Sequence, residues 1–90
     1  MDNEVSNQKI RQYLPALLLY IQRRVEGGRG AVISVRTRDV CGMDRRCGVV
    51  VYSIMMRFVE KGLARRHKQG TYLIERRAVE EVILALRRWI

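Results

Sequence analysis

Apolar residues recur at helical spacing along the first third of the chain. The stripe consists of Ile10, Leu14, Leu17, Leu18, Ile21 and Val25. This spacing predicts a helix, and Gly27 and Gly28 predict its end. Pro15 lies within the stripe, and an interior proline removes one backbone hydrogen bond. We expect either a kink at Pro15 or a main helix that begins near it after a shorter helix.

The middle of the chain predicts a strand, a short helix and a long helix. Residues 31–36 are β-branched and bounded by glycines, which favours a strand that pairs with a later hairpin. Thr37 is the predicted N-cap of a short helix that Gly42 ends. Asp44 is the predicted N-cap of the long helix, which stops at Gly62. Its apolar face comprises Cys47, Val50, Val51, Ile54, Met55, Phe58 and Val59.

Two short segments after the long helix flank Gln69 and Gly70, a turn typical of a β-hairpin. The expected register pairs Lys68 with Thr71, Arg65 with Ile74, and His67 with Tyr72. The expected core anchors of the hairpin are Leu63, Leu73 and Ile74. Its tip, residues 66–69, is basic and well placed for sugar-phosphate contact.

The end of the chain, residues 77–90, predicts one more amphipathic helix. Its apolar face carries Val79, Val82, Ile83, Leu86, Trp89 and Ile90. Acidic residues lie near its start and basic residues near its end, which suits the helix dipole. These large side chains must be buried, either on the first helix of the same chain or against a partner's copy.

The charge of the chain narrows the class of partner. A chain of 90 residues is expected to be one domain with a modest core, and it carries a net charge of +9. Residues 35–77 hold eleven Lys or Arg and four Asp or Glu, so +7 of that charge lies there. A nucleic acid is the usual partner of such a basic domain. Arginine exceeds lysine fifteen to three, which suits phosphate contacts and also the charged surface of a thermophile protein.

The first residues include Asp2 and Glu4 and lack the apolar core of a secretion signal. The apolar run at residues 14–21 is too short to span a bilayer. A soluble cytoplasmic protein is therefore expected.

The face of the long helix opposite its apolar stripe mixes basic and apolar residues. It carries Arg45, Arg46, Val49, Tyr52, Ser53, Met56 and Arg57. A major groove admits a helix, whose N-terminal residues commonly reach base edges. A purely solvated face rarely carries three exposed side chains such as Val49, Tyr52 and Met56. We therefore expect this face to contact DNA, with a protein interface as the main alternative.

The order helix, strand, helix, turn, helix and hairpin, ending in GLARRHKQGTYLIERR, resembles the winged helix-turn-helix domains of small bacterial and archaeal transcription regulators. The resemblance covers residues 14–77. It implies a mainly α fold with a small β-sheet: a three-helix core, a short strand plus a β-hairpin wing, and an extra helix at residues 78–90. The chain is then one domain over residues 1–90, with an N-terminal extension at residues 1–13.

In that resemblance residues 44–61 are the recognition helix and residues 65–68 form the wing. The predicted DNA-binding residues are Arg36, Arg38, Arg45, Arg46, Val49, Tyr52, Ser53, Arg57, Arg65, Arg66, His67 and Lys68. His67 is the single histidine, and no nucleophile or carboxylate constellation surrounds it, so no catalytic role is expected. Regulators of this type commonly pair through terminal helices, which favours a homodimer through the N- and C-terminal helices.

Cys41 and Cys47 flank the turn between the short and the long helix. A corner of this kind brings two Cα atoms within disulfide range, about 4.4–6.8 Å. Reduced thiols are the ordinary cytosolic state, whereas hyperthermophiles keep intracellular disulfides, and the arginine-rich composition is compatible with such a source. A static staple and a redox switch are both open. Two cysteines and one distant histidine do not make a zinc site, so no metal or other cofactor is expected.

These features predict a sequence-specific double-stranded DNA-binding protein, a dimeric and nucleoid-associated transcription regulator without catalytic activity. An architectural protein that coats DNA through charge alone is one alternative. A winged-helix module that binds proteins within a larger nucleic-acid assembly is the other.

Overall fold

A computed structural model describes the backbone of residues 7–89 and the side chains of residues 10–89. Residues 1–6 of the predicted extension and Ile90 of the last apolar stripe lie outside the described residues. The element order is α1 Asn7–Gly27, β1 Val32–Arg36, α2 Thr37–Cys41, α3 Arg45–Glu60, β2 Arg65–Lys68, β3 Thr71–Glu75 and α4 Arg76–Trp89. The prediction of a mainly helical chain with a small sheet is confirmed.

Helix α1 runs through Pro15 as one element, so the predicted division into two helices is wrong. Pro15 and Arg11, whose carbonyl would accept the missing bond, are both exposed, so water can solvate that carbonyl. Leu14 and Leu17 on either side are fully buried. Packing of this stripe holds the helix together across the proline.

The core lies between α1, α3, α4 and one face of the sheet. Its fully buried large side chains include Leu14, Leu17, Ile21, Ile54, Met55, Phe58, Tyr72, Ile74 and Leu86. Each such side chain contributes roughly 1.5–3 kcal/mol through its removal from water. Helix α4 packs on α1 of the same chain, and Trp89 stacks on Phe58 with ring centroids 5.5 Å apart. The last apolar stripe is therefore largely buried within the chain.

The three strands form one antiparallel sheet in the order β1-β3-β2, so the first strand pairs with the hairpin as predicted. Lys68 lies opposite Thr71, as predicted. The other two predicted pairs are wrong, because Arg65 lies opposite Leu73 and Arg66 opposite Tyr72. A β-bulge between Arg66 and Lys68 leaves His67 as an extra residue and shifts the register by one.

The side of β3 that faces the core also differs from the prediction. Tyr72 and Ile74 are buried, whereas Leu73 is half-buried on the other face. Leu63 is also half-buried and packs at the margin of the core. Of the three predicted anchors, only Ile74 is fully buried, and Tyr72 takes the place given to Leu73.

Of the two N-caps predicted for α2 and α3, the structure has the one of α3 and lacks the one of α2. The predicted cap Thr37 is already helical, and Arg36 occupies the N-cap position without a side-chain hydrogen bond. Gly42 ends α2 as predicted and has a positive φ of 62°, which favours glycine, but its ψ of −127° lies outside the predicted left-handed helical conformation. Asp44 Oδ1 accepts hydrogen bonds from the backbone N–H of Arg46 (2.9 Å) and Cys47 (3.1 Å), so its predicted role as the N-cap of α3 is confirmed.

Replacing this cap should loosen the start of α3. We expect Asp44→Ala to lower the free energy of unfolding by about 1 kcal/mol, because two N–H groups lose their acceptor. For a domain of this size that corresponds to a fall in Tm of roughly 4–8 °C, measured by circular dichroism. Asp44→Asn keeps a capping oxygen and is the matched control. Equal Tm values for the alanine and asparagine variants would contradict a capping role.

Candidate nucleic-acid interface

The outer face of α3 is open to solvent in the described structure. Val49 is 57% exposed and Tyr52 is 46% exposed, although the first side chain is apolar and the second carries an aromatic ring. Arg45 and Arg46 in the first turn are also exposed. Ser53 and Met56 are half-buried along the same helix. The first three turns of α3 therefore present a basic and apolar surface that the chain itself does not cover.

The hairpin reaches this surface through one side-chain contact. The guanidinium carbon of Arg66 lies 5.6 Å from the centroid of the Tyr52 ring. This is the range of a cation–π interaction, which favours arginine over an aromatic face. Burial raises the pKa of the neighbouring Tyr72 hydroxyl above its ordinary value, while the charge of Arg66 acts in the opposite direction. The Tyr72 hydroxyl therefore keeps its proton beside this contact.

An open groove of about 790 Å³ lies between the hairpin turn, α2 and the start of α3. Four basic residues line it, namely Arg36, Arg38, Arg45 and Lys68. The backbone N–H of Thr37 donates to the carbonyl of Gly70 (2.8 Å) and joins α2 to the hairpin turn. We call this feature the basic groove. It brings together four predicted contact residues from four different elements.

The two acidic residues of the basic groove are both engaged in structural contacts. Tyr20 Oη donates to Asp39 Oδ2 (3.3 Å), and Asp44 caps α3 and also accepts from Tyr13 Oη (3.3 Å). Burial and the Asp44 carboxylate raise the pKa of Tyr13, so this hydroxyl keeps its proton. The carboxylates thus anchor α1 to the helical corner, and the basic residues face the groove's open side.

Besides Arg66 and the residues on the outer face of α3, three predicted contact residues do not line the basic groove. Arg57 is half-buried and stacks on the Trp89 ring, 5.5 Å from its centroid, at the α4 side of α3. Arg65 lines a different cavity, of about 330 Å³, together with Glu75 and Glu81. His67 is the exposed bulge residue of the hairpin. Of the predicted DNA-binding residues, these three are not brought together with the others.

Met43, which was not among the predicted contact residues, lines the basic groove and is 90% exposed. The signal that could have identified it is a large apolar residue in a polar turn between two helices. A side chain of this type at the mouth of a basic groove can contact the apolar part of a bound ligand.

Cys41 and Cys47 are joined by a disulfide, with their Cα atoms 5.5 Å apart. The bond links the last residue of α2 to the first turn of α3. Helix α2 has five residues and none of them is buried. The disulfide, the Thr37–Gly70 and Tyr20–Asp39 hydrogen bonds and the packing of half-buried Val40 against the core together position α2 beside the basic groove.

The contact between Arg66 and Tyr52 gives a measurable coupling. A double-mutant cycle with Tyr52→Leu and Arg66→Met should show an interaction of about 0.5–1 kcal/mol in the free energy of unfolding, measured by urea denaturation. His67→Gln is the matched control on the same strand and should be additive with Tyr52→Leu. Additivity of the Arg66 and Tyr52 substitutions within about 0.3 kcal/mol would show that the Arg66–Tyr52 contact does not stabilise the fold.

No helix within residues 7–89 has an apolar stretch long enough to cross a membrane. The same part of the chain holds no cluster of three or more His, Cys, Asp or Glu side chains arranged for a metal ion. Comparison with known protein families, with curated proteins and with solved structures gives no match.

Proposed function

We propose that the chain is a winged helix-turn-helix domain that binds double-stranded DNA in a sequence-specific manner, as a dimeric transcription regulator. In this proposal α2 and α3 form the helix-turn-helix, α3 is the recognition helix, and the β2–β3 hairpin is the wing. The observation that carries the proposal is the contact of Arg66 with Tyr52 beside the basic groove. It makes the outer face of α3 and the basic hairpin one continuous surface.

Such a surface suits the two kinds of contact that a DNA regulator needs. Arg45 and Arg46 stand at the N-terminal end of α3, where recognition helices commonly reach base edges. Val49 is placed one turn further on and offers an apolar contact for a thymine methyl group. Arg36, Arg38 and Lys68 in the basic groove match the negative charge of the phosphate backbone.

The homodimer in this proposal uses the outer sides of α1 and α4. Leu19 on α1 is 48% exposed and Leu84 on α4 is 47% exposed. These helices pack on each other within one chain. In the dimer, α1 and α4 of the two-fold-related partner chain would form a second layer of helices against them. A dimer presents two recognition helices and predicts a target of two inverted half-sites about 10 base pairs apart.

The test is selection from a random duplex pool by the purified full chain, followed by affinity measurements at two salt concentrations. An enriched motif of two inverted half-sites with a specificity ratio of about 10³ or more supports a dimeric regulator. Equal affinity for all duplexes, with a steep loss of binding in salt, indicates an architectural protein instead. Absence of duplex binding would refute both DNA-binding functions. The exposed Val49 and Tyr52 would then favour a protein-interaction module.

A further inference from the structure

A small cavity of about 220 Å³ lies where α1, α3 and α4 meet, outside the basic groove. Its described lining is Ile10, Arg11, Arg57, Arg88 and Trp89. Each of the three helices contributes one arginine. None of the described lining residues is acidic.

The central arginine of this cavity is held on a rigid platform. The guanidinium of Arg57 lies 5.5 Å from the centroid of the Trp89 ring. Trp89 in turn stacks on Phe58, which is fully buried, at an interplanar angle of 21°. Stacking occupies the flat face of a guanidinium and leaves the N–H groups at its edge free to donate. Arg57 lines the cavity from this platform, so its N–H groups can donate to a ligand there.

The charged side chains among the described lining residues of this cavity are all positive. Among the side chains of residues 10–89, the one salt bridge is between Arg77 and Glu75. None of the three cavity arginines has a described carboxylate oxygen within 4.0 Å. Three guanidinium groups that converge without an acid repel one another. An anion between them removes that repulsion, and guanidinium forks match the oxygens of a phosphate group in geometry and charge.

We propose that Arg11, Arg57 and Arg88 form a binding site for a phosphate group, with Trp89 as its floor. The site is separate from the basic groove, because Arg57 follows Arg45 by twelve residues of α3. Twelve residues correspond to about 18 Å along a helix axis. The phosphate belongs either to a small phosphorylated molecule or to the backbone of a bound duplex.

The chain carries its own reporter for this site, because Trp89 is its single tryptophan. We expect inorganic phosphate, titrated at constant ionic strength against chloride, to change Trp89 emission along a saturating curve. Arg11→Gln and Arg88→Gln should each weaken this binding by roughly tenfold, about the value of one charge-assisted hydrogen bond. Both arginines are exposed, so the substitutions leave the core intact, which circular dichroism checks.

Arg29→Gln is the matched control, since it removes one exposed positive charge from the loop after α1, at the other end of that helix. It should bind phosphate as the unsubstituted chain does. A linear response that chloride reproduces, or equal weakening by all three substitutions, would overturn the site and leave only general charge attraction.

A duplex titration distinguishes the two sources of the phosphate. If a duplex supplies it, saturating duplex changes Trp89 emission, displaces inorganic phosphate, and shows a log–log salt slope smaller by about one in Arg88→Gln. If a small molecule supplies it, phosphate still saturates the site while the bound duplex leaves Trp89 emission unchanged. Failure of any duplex to bind would count against the proposed function alone, because the phosphate titration decides this site independently.

Discussion

Replacing Arg45 and Arg46 together by glutamine is expected to weaken binding to the selected duplex by about 10- to 100-fold and to relax its sequence preference. Both side chains are exposed in the first turn of α3, where the helix dipole adds partial positive charge. Glutamine keeps much of the side-chain length and removes the charge and the bidentate fork. Fluorescence anisotropy with the selected duplex and with a scrambled duplex measures both effects.

The control for this prediction is a basic residue of the hairpin. Lys68→Gln should weaken binding to the selected and the scrambled duplex by the same factor, because a phosphate contact carries no sequence information. Arg29→Gln should change neither affinity by more than about twofold, since its loop lies outside the interface. If the α3 variant and Lys68→Gln lower both affinities in the same ratio, the division between a reading helix and a phosphate-binding hairpin is wrong.

Loss of the Cys41–Cys47 disulfide is expected to lower the free energy of unfolding by about 2 kcal/mol, the loop-entropy value for cysteines separated by six residues. The corresponding fall in Tm is roughly 8–16 °C for a domain of this size. Thermal unfolding with and without dithiothreitol measures it, together with a thiol assay that shows when reduction is complete. We expect the first loss of order in α2, because none of its side chains is buried.

Cys41→Ala/Cys47→Ala is the matched variant, and alanine avoids placing a hydroxyl at the buried position of Cys47. Its Tm should equal that of the reduced chain, apart from the destabilisation caused by removing the buried sulfur atom of Cys47. Dithiothreitol should have no further effect on its Tm. A fully reduced chain that keeps the oxidised Tm would show that the bond does not stabilise the fold.

Much of the fold follows from local rules that the sequence displays directly. Asp44 before an apolar stripe, Gly42 and Gly70 at positive φ, and the run of β-branched residues at Val32–Arg36 each specify their own element. These features depend on neighbours in the chain, so the sequence was sufficient to predict them.

The errors occur where tertiary packing decides between local alternatives. Of the kink or break predicted at Pro15, the break does not occur, because the flanking leucines are buried deeply enough to hold one helix together. The bulge at His67 shifts Arg65 and Arg66 by one position relative to β3, and the turn at Gln69 and Gly70 does not predict such an extra residue. Thr37 has a side chain suited to capping, yet the helix begins one residue earlier than predicted, so Arg36 takes the extended N-cap position and Thr37 is already helical.

The candidate site was only partly predictable for the same reason. Helical spacing places Arg57 near the outer face of α3, but its guanidinium turns towards Trp89, which lies thirty-two residues further along the chain. The contact of Arg66 with Tyr52 depends on the distance between a helix and a hairpin, which spacing along the chain does not give. Partners of this kind become apparent only once the elements are packed.

The hydrogen bond between Thr37 and Gly70 has a consequence for how such a protein can evolve. It joins two main-chain groups, so this link across the basic groove does not depend on the side chains of Arg36, Arg38, Arg45 and Lys68. These four residues can be exchanged by mutation while the link is retained. Proline at position 37 would remove it, since proline lacks the N–H. Residues that contact a target can thus change without loss of the main-chain link that helps to hold the walls of the groove.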